Sequence, residues 1–170
     1  VRTRRLLAVV PLLGLLAGCG IERTEVIDFG LPATGVKRPG DPGYRARLYF
    51  AVVNGAVFGL PRPADGPVDA EQAVRLMLAG PNDAERARGF FSEVMMKPGP
   101  SGAGVSVTVS RGQVAIRLPF DVGQLTRPAR TQLVCTAAHN EVPGNVPAAD
   151  VKVTLAGGGK RLPDLRCTLP

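Results

Sequence analysis

The chain has 170 residues, of which 45% are hydrophobic and 21% charged, and Lys+Arg 21 against Asp+Glu 14 gives a formal net charge of +7. That is room for one ordinary domain. Gly 21 and Pro 16 together are about 22% of the chain, aromatics are 5% and Trp is absent, which excludes a collagen, a coiled coil, a multi-pass membrane protein, a disordered polyelectrolyte and an elaborate multidomain enzyme.

Arg2, Arg4 and Arg5 precede an apolar run from Leu6 to Leu16, interrupted by Pro11 and Gly14. A basic start, a short apolar stretch and small residues at its end describe a secretory signal peptide. The run is shorter than the roughly 20 residues a membrane-spanning helix needs. Val1 reads as a GTG start codon rendered literally. The run ends in Leu16-Ala17-Gly18-Cys19, which resembles the lipobox of bacterial lipoproteins. That resemblance implies a diacylglyceryl group on the Cys19 thiol and cleavage before Cys19. A single acyl chain holds a protein weakly, whereas two anchor it stably. Residues 1–18 are then a signal peptide, and removing its three arginines lowers the net charge from +7 to +4.

With Cys19 lipidated, Cys135 and Cys167 remain. Two spare thiols in an exported chain point to a disulfide; two reduced cysteines are the alternative. No Cys-His signature surrounds either one, and the single histidine, His139, makes a zinc site improbable. Arginine supplies 17 of the 21 basic residues, the codon bias of a high-GC genome, and a high-GC Gram-positive source is expected. The arginines are scattered, and no basic run follows residue 5, so nucleic-acid binding has no support.

Residues 19–44 are interrupted by glycine and proline throughout and read as a lipidated cysteine and tether, from which Val26-Ile27 and Phe29 could dock on the domain. Leu48–Val53 and Ala56–Leu60 read as two strands, with Asn54-Gly55 between them as a two-residue type I′ turn. Both faces of the first are apolar, so it is expected to be covered on both sides. A loop over 61–67 follows. Asp69 caps a helix with Gln72 three residues on, and Ala70, Ala73, Val74, Met77 and Leu78 make its apolar face. Gly80-Pro81 end it. Asp83–Arg88 form a short helical turn closed by Gly89, and Phe90-Phe91 are expected to pack on the core. Val105, Val107 and Val109 alternate with polar residues, as do Val114, Ile116 and Leu118. A turn at Arg111-Gly112 pairs Val109 with Val114, Val107 with Ile116 and Val105 with Leu118, placing all six of these apolar side chains on one face. Thr126 caps a second long helix with Pro128 in its first turn and Ala129, Leu133, Val134 and Ala137 as its stripe. Val151–Leu155 is a last strand, and Gly157-Gly158-Gly159 free a tail, 157–170, that returns Cys167 to the helix. The order implies an α+β fold: a small mixed β-sheet with two main helices on one face.

Residues 45–156 resemble the GerMN domain, found in spore-germination GerM and in LpqB-type actinobacterial lipoproteins. The resemblance rests on the hairpin Leu48-Tyr49-Phe50 through Asn54-Gly55 to Leu60, on Ala73-Val74-Arg75-Leu76-Met77-Leu78-Ala79-Gly80-Pro81, on Ala84–Gly89, on Val105–Leu118 and on Thr131-Gln132-Leu133-Val134. It implies a non-catalytic envelope module with a GerMN-like sandwich. The family often has a tyrosine in the second long helix near the position of Cys135; this chain departs there.

No nucleophile elbow, zinc-protease motif, P-loop or dinucleotide fingerprint occurs. Gly102-Ala103-Gly104 is loop glycine. Asp65 with Asp69, or Glu85 with Glu93, could pair as in glycoside hydrolysis, but capping and surface solvation account for them. Met95-Met96 reads as core filler, His139 as a residue at a helix C-terminus, and Arg86 with Arg88 as solvated surface. No catalytic residue, cofactor or metal is expected. The functional expectation is a lipid-anchored, extracytoplasmic binding or assembly module whose partner is an envelope protein or cell-wall polymer. A cell-wall hydrolase or glycan-modifying enzyme is the alternative, and a small solute-binding lipoprotein of a transporter the second. The candidate binding face is the polar side of the second hairpin: Ser106, Thr108, Ser110, Gln113 and Arg117.

Overall fold

A computed structural model describes residues 43–94 and 104–169. The signal peptide, Cys19, the tether up to residue 42, Met95-Met96 and Gly102-Ala103 lie outside the described residues. The fold is α+β, with a two-stranded sheet, a four-stranded mixed sheet and three α-helices.

Strands β1 (Arg45–Ala51) and β2 (Val57–Pro63) form the two-stranded sheet. From Leu48 onward every residue of β1 is buried, as its apolar faces require. The connection differs from the two-residue turn read from Asn54-Gly55. Val52 N–H donates to Ala56 O at 3.0 Å and Gly55 N–H donates to Val52 O at 2.7 Å, so the loop is Val53-Asn54-Gly55. Gly55 alone is left-handed, at φ 79°, while the Asn54 side chain accepts from Ala56 N–H. A type I′ turn needs both central residues at positive φ; asparagine here uses its side chain instead. The extra residue shifts the register by one, so that Phe50 faces Phe58 and Tyr49 faces Gly59. A Cβ on Gly59 would sit 2.9 Å from Tyr49 Cζ, so the ring seats only on glycine. Val53, read as strand, is the exposed loop tip, and β2 runs on through Pro63 into the expected loop. Proline suits such a strand because an outer edge needs no N–H.

Helix α1 (Ala70–Leu78) starts at Asp69, whose carboxylate accepts from Gln72 N–H, and buries the five apolar residues of its stripe. Helix α2 (Asp83–Ala87) starts at a capping box made by Asn82 and Glu85. Strands β3 (Ser106–Ser110) and β4 (Gln113–Arg117) pair in the register read from burial, Val107 with Ile116 and Val109 with Val114. Helix α3 (Arg127–Ala138) starts at Thr126 with proline in its first turn. Strand β5 (Lys152–Gly157) then lies parallel to β4.

The glycine triplet does not free a tail. Gly158 and Gly159, both left-handed, turn the chain into a sixth strand, β6 (Lys160–Leu165), paired to β5. The triplet is a close-packing device. A Cβ on Gly157 would meet Phe120 O at 2.2 Å, and one on Gly158 would meet Asp121 Cα at 2.4 Å. Beyond β6, Cys167 is bonded to Cys135 of α3, with Cα atoms 4.7 Å apart and both residues buried. The four-stranded order is β3-β4-β5-β6. Val114, Ile116, Val153 and Leu155 on its inner face join β1, α1 and α3 in one core.

The free edge of β1 is closed by a helix. Gln132, Thr136 and Asn140 recur every four residues along α3 and just past its end, which aligns them on one face. Asn140 takes Arg47 N–H and donates to Arg47 O, Thr136 takes Tyr49 N–H, and Gln132 donates to Tyr49 O. A strand edge buried without partners would cost free energy at each group. Three side chains here stand in for a neighbouring strand.

Candidate binding face

The outer side of the four-stranded sheet alternates against the core side and is built in rows across the strands. Thr108, Ala115 and Thr154 form one row, and Ser106, Arg117, Ala156 and Arg161 the next. A hollow of about 230 Å³ opens between them, lined by Ser106, Thr108, Ala115, Ile116, Arg117, Thr154, Ala156 and Arg161. It exists because alanine stands at the centre of each row with longer side chains around it. A second hollow, about 410 Å³, adjoins it at the Gly157-Gly158-Gly159 turn and shares Arg117, Ala156 and Arg161. Among the described residues, no carboxylate lines either hollow.

Ser106, Thr108 and Arg117 of the expected face therefore come together. Ser110 and Gln113 are exposed one row further along, at the turn, with Lys152 beside Gln113. Thr154 and Arg161 escaped the sequence reading. The alternation Val151-Lys152-Val153-Thr154-Leu155 already places Thr154 on the outer face, but Arg161 depends on β6.

Asp65 is exposed on the loop after β2; the other candidates within the described residues have structural occupations. Asp69 caps α1. Glu85 is buried, takes Asn82 N–H for the capping box and pairs with Arg62 at 2.5 Å. Glu93 accepts from Thr126 Oγ at 2.5 Å. Arg86 bonds to Pro81 O and Asp83, and Arg88 lies over the Phe90 ring. Phe90 packs against the core, while Phe91 stays partly exposed.

No known protein family, curated protein or solved structure matches this chain.

His139 follows α3 and meets the C-terminal segment. Its Nε2 donates to Leu169 O at 3.2 Å, and its ring lies 5.2 Å from that of Tyr49. Burial holds its pKa below the usual imidazole value; the Leu169 carbonyl opposes this and the nearby Arg47 charge adds to it. The folded state therefore resists protonation more than the unfolded chain does. The contribution of neutral His139 to stability is complete above the unfolded value near 6.5 and is lost as pH falls through it toward the lower folded value. Asp121, lowered chiefly by the Gly123 N–H and also by Lys160, acts below its ordinary 3.8 and leaves that window to His139. Urea midpoints are expected to fall between pH 7 and pH 5 in the wild type and to flatten in His139→Gln. An equal slope in both proteins would remove the histidine from the account.

Proposed function

We propose that this chain is a lipid-anchored, extracytoplasmic module of the GerMN kind that works by binding and not by catalysis. The lipobox at Cys19 supports its place on the outer side of the cell membrane, and the chain pattern over 45–156 supports the kinship. The observation that carries the functional reading is the outer sheet face. Its hollow offers hydroxyls and guanidinium groups, which hold a ligand, with no acid–base pair among the described residues that line it. Catalysis of glycan hydrolysis uses two carboxylates flanking the bond; of the paired acids, Asp69 caps a helix, Glu85 pairs with Arg62, Glu93 accepts from Thr126, and Asp65 is exposed and lines neither hollow.

The test is crosslinking of the full chain at its native membrane, followed by identification of the captured envelope component. Wild type is expected to capture it, and Thr108→Glu with Arg117→Asp, both on exposed positions, to lose at least about 90% of the capture while folding normally. Undiminished capture removes this face from the reading. Release of soluble fragments from purified peptidoglycan, with turnover, overturns the non-enzymatic reading.

A further inference from the structure

Arg117 and Arg161 occupy the two ends of the Arg117–Ala156–Arg161 row. Two strand spacings put their backbones about 10 Å apart. Among the described residues neither forms an ion pair or a side-chain hydrogen bond, in contrast to Arg62, Arg75, Arg86 and Arg166, each of which has an acidic partner. The nearest acid by register, Asp164 in the β6 irregularity opposite Thr154, lines neither hollow. Two uncompensated guanidinium groups thus flank a recess whose floor is alanine and whose rim carries the hydroxyls of Ser106, Thr108 and Thr154.

We propose that this recess binds a linear, phosphate-bearing polymer, an identification that rests on the binding reading above and names its ligand. Three observations select that chemistry. Guanidinium groups pair with phosphate through two parallel hydrogen bonds. A phosphate within a linear chain keeps two free oxygens and adds two bridging oxygens as weaker acceptors, so it offers five donor side chains more acceptor sites than the two oxygens of a carboxylate do. Arg117 and Arg161 stand at opposite ends of one row and both line the two adjoining hollows, which fits a chain laid along that row with successive anionic groups at the two arginines. A membrane surface is a poorer match: the residues at the centre of the face are recessed alanines, and no large apolar side chain projects there to enter a bilayer.

The experiment measures retention of the full chain, purified in detergent, on immobilised linear polyphosphate over a series of salt concentrations. Wild type is expected to bind with a negative slope of log affinity against log salt. Arg117→Gln with Arg161→Gln is expected to weaken binding by about tenfold or more and to flatten the slope by about 1.4, at roughly 0.7 per contact for a single-stranded polyanion. Ala115→Glu, which sets a carboxylate on the exposed floor, is expected to weaken it as strongly. Arg45→Gln with Arg127→Gln removes equal charge elsewhere and is expected to leave binding within about twofold. Equal losses in both arginine pairs would mean generic charge attraction and overturn the proposal. Binding to phosphatidylglycerol vesicles that requires Arg117 and Arg161, without binding to polyphosphate, would assign the face to a membrane and also overturn it. No polyphosphate retention, combined with crosslinking capture that still depends on Thr108 and Arg117, would reject the ligand class and leave the binding face standing.

Discussion

Replacing Cys135 and Cys167 together by alanine is expected to lower the unfolding free energy by about 4 kcal/mol. The bridge spans a sequence separation of 32 residues, and the chain-entropy model assigns a loop of that size about 3.7 kcal/mol through restriction of the unfolded chain. Losing the sulfur packing against α3 adds to this, because both residues are buried. The bridge also holds the chain that presents Leu169 to His139, and the two links lie within one short stretch. In urea the midpoint is expected to fall by about 2 M for an m value near 2 kcal/mol/M. Wild type unfolded and refolded in reductant should behave like the double variant. An unchanged midpoint in the double variant would show that the bridge constrains nothing that folding needs.

Gln132→Leu is expected to cost about 3 kcal/mol, a large effect for a change that keeps side-chain volume nearly constant. Gln132 is fully buried in α3. Its oxygen accepts from Glu93 N–H at 2.9 Å, and its nitrogen donates to Tyr49 O at 3.3 Å and to Phe91 O at 3.2 Å. Phe91 O retains Ala51 N–H as a donor. The part-buried Glu93 N–H and the buried Tyr49 O both lose their bond to Gln132, and removing a hydrogen bond from a buried polar group costs about 1–3 kcal/mol. Thr136→Val, which deprives Tyr49 N–H of its acceptor, is expected to cost about half as much. The double variant should fall short of the sum, since both residues serve the same edge of β1. Arg127→Gln, on the first turn of the same helix, serves as control. A Gln132→Leu protein as stable as the control would mean that the helix does not replace a strand at this edge.

Legibility followed the range of the interaction. The β3–β4 register was readable because one-residue slippage would bury Ser106, Thr108 and Ser110 and expose the valines. Asp69 and Thr126 were readable as caps because each bonds to an N–H three residues on. The Asn54-Gly55 turn was misread for the opposite reason. The loop takes three residues, and the extra one sets the register that puts Tyr49 opposite Gly59, a contact across the sheet that the Asn54-Gly55 pair does not report. The Gly157–Gly159 triplet, read as slack, owes its composition to Phe120 and Asp121, which pack against it from far away in sequence.

By itself the sequence determined the α+β class, the two longer helices with their Asp69 and Thr126 caps, the polar face of the second hairpin and the pairing of its valines, because each follows from local bonding or from a two- or 3.6-residue apolar period. The tertiary structure alone decided the sixth strand, the closure of β1 by Gln132, Thr136 and Asn140, and the hollow between Arg117 and Arg161. Those depend on segments distant in the chain meeting at one place. Polar side chains at helical spacing look solvated until a strand edge is found against them, and two scattered arginines become one site only when β6 is laid beside β5.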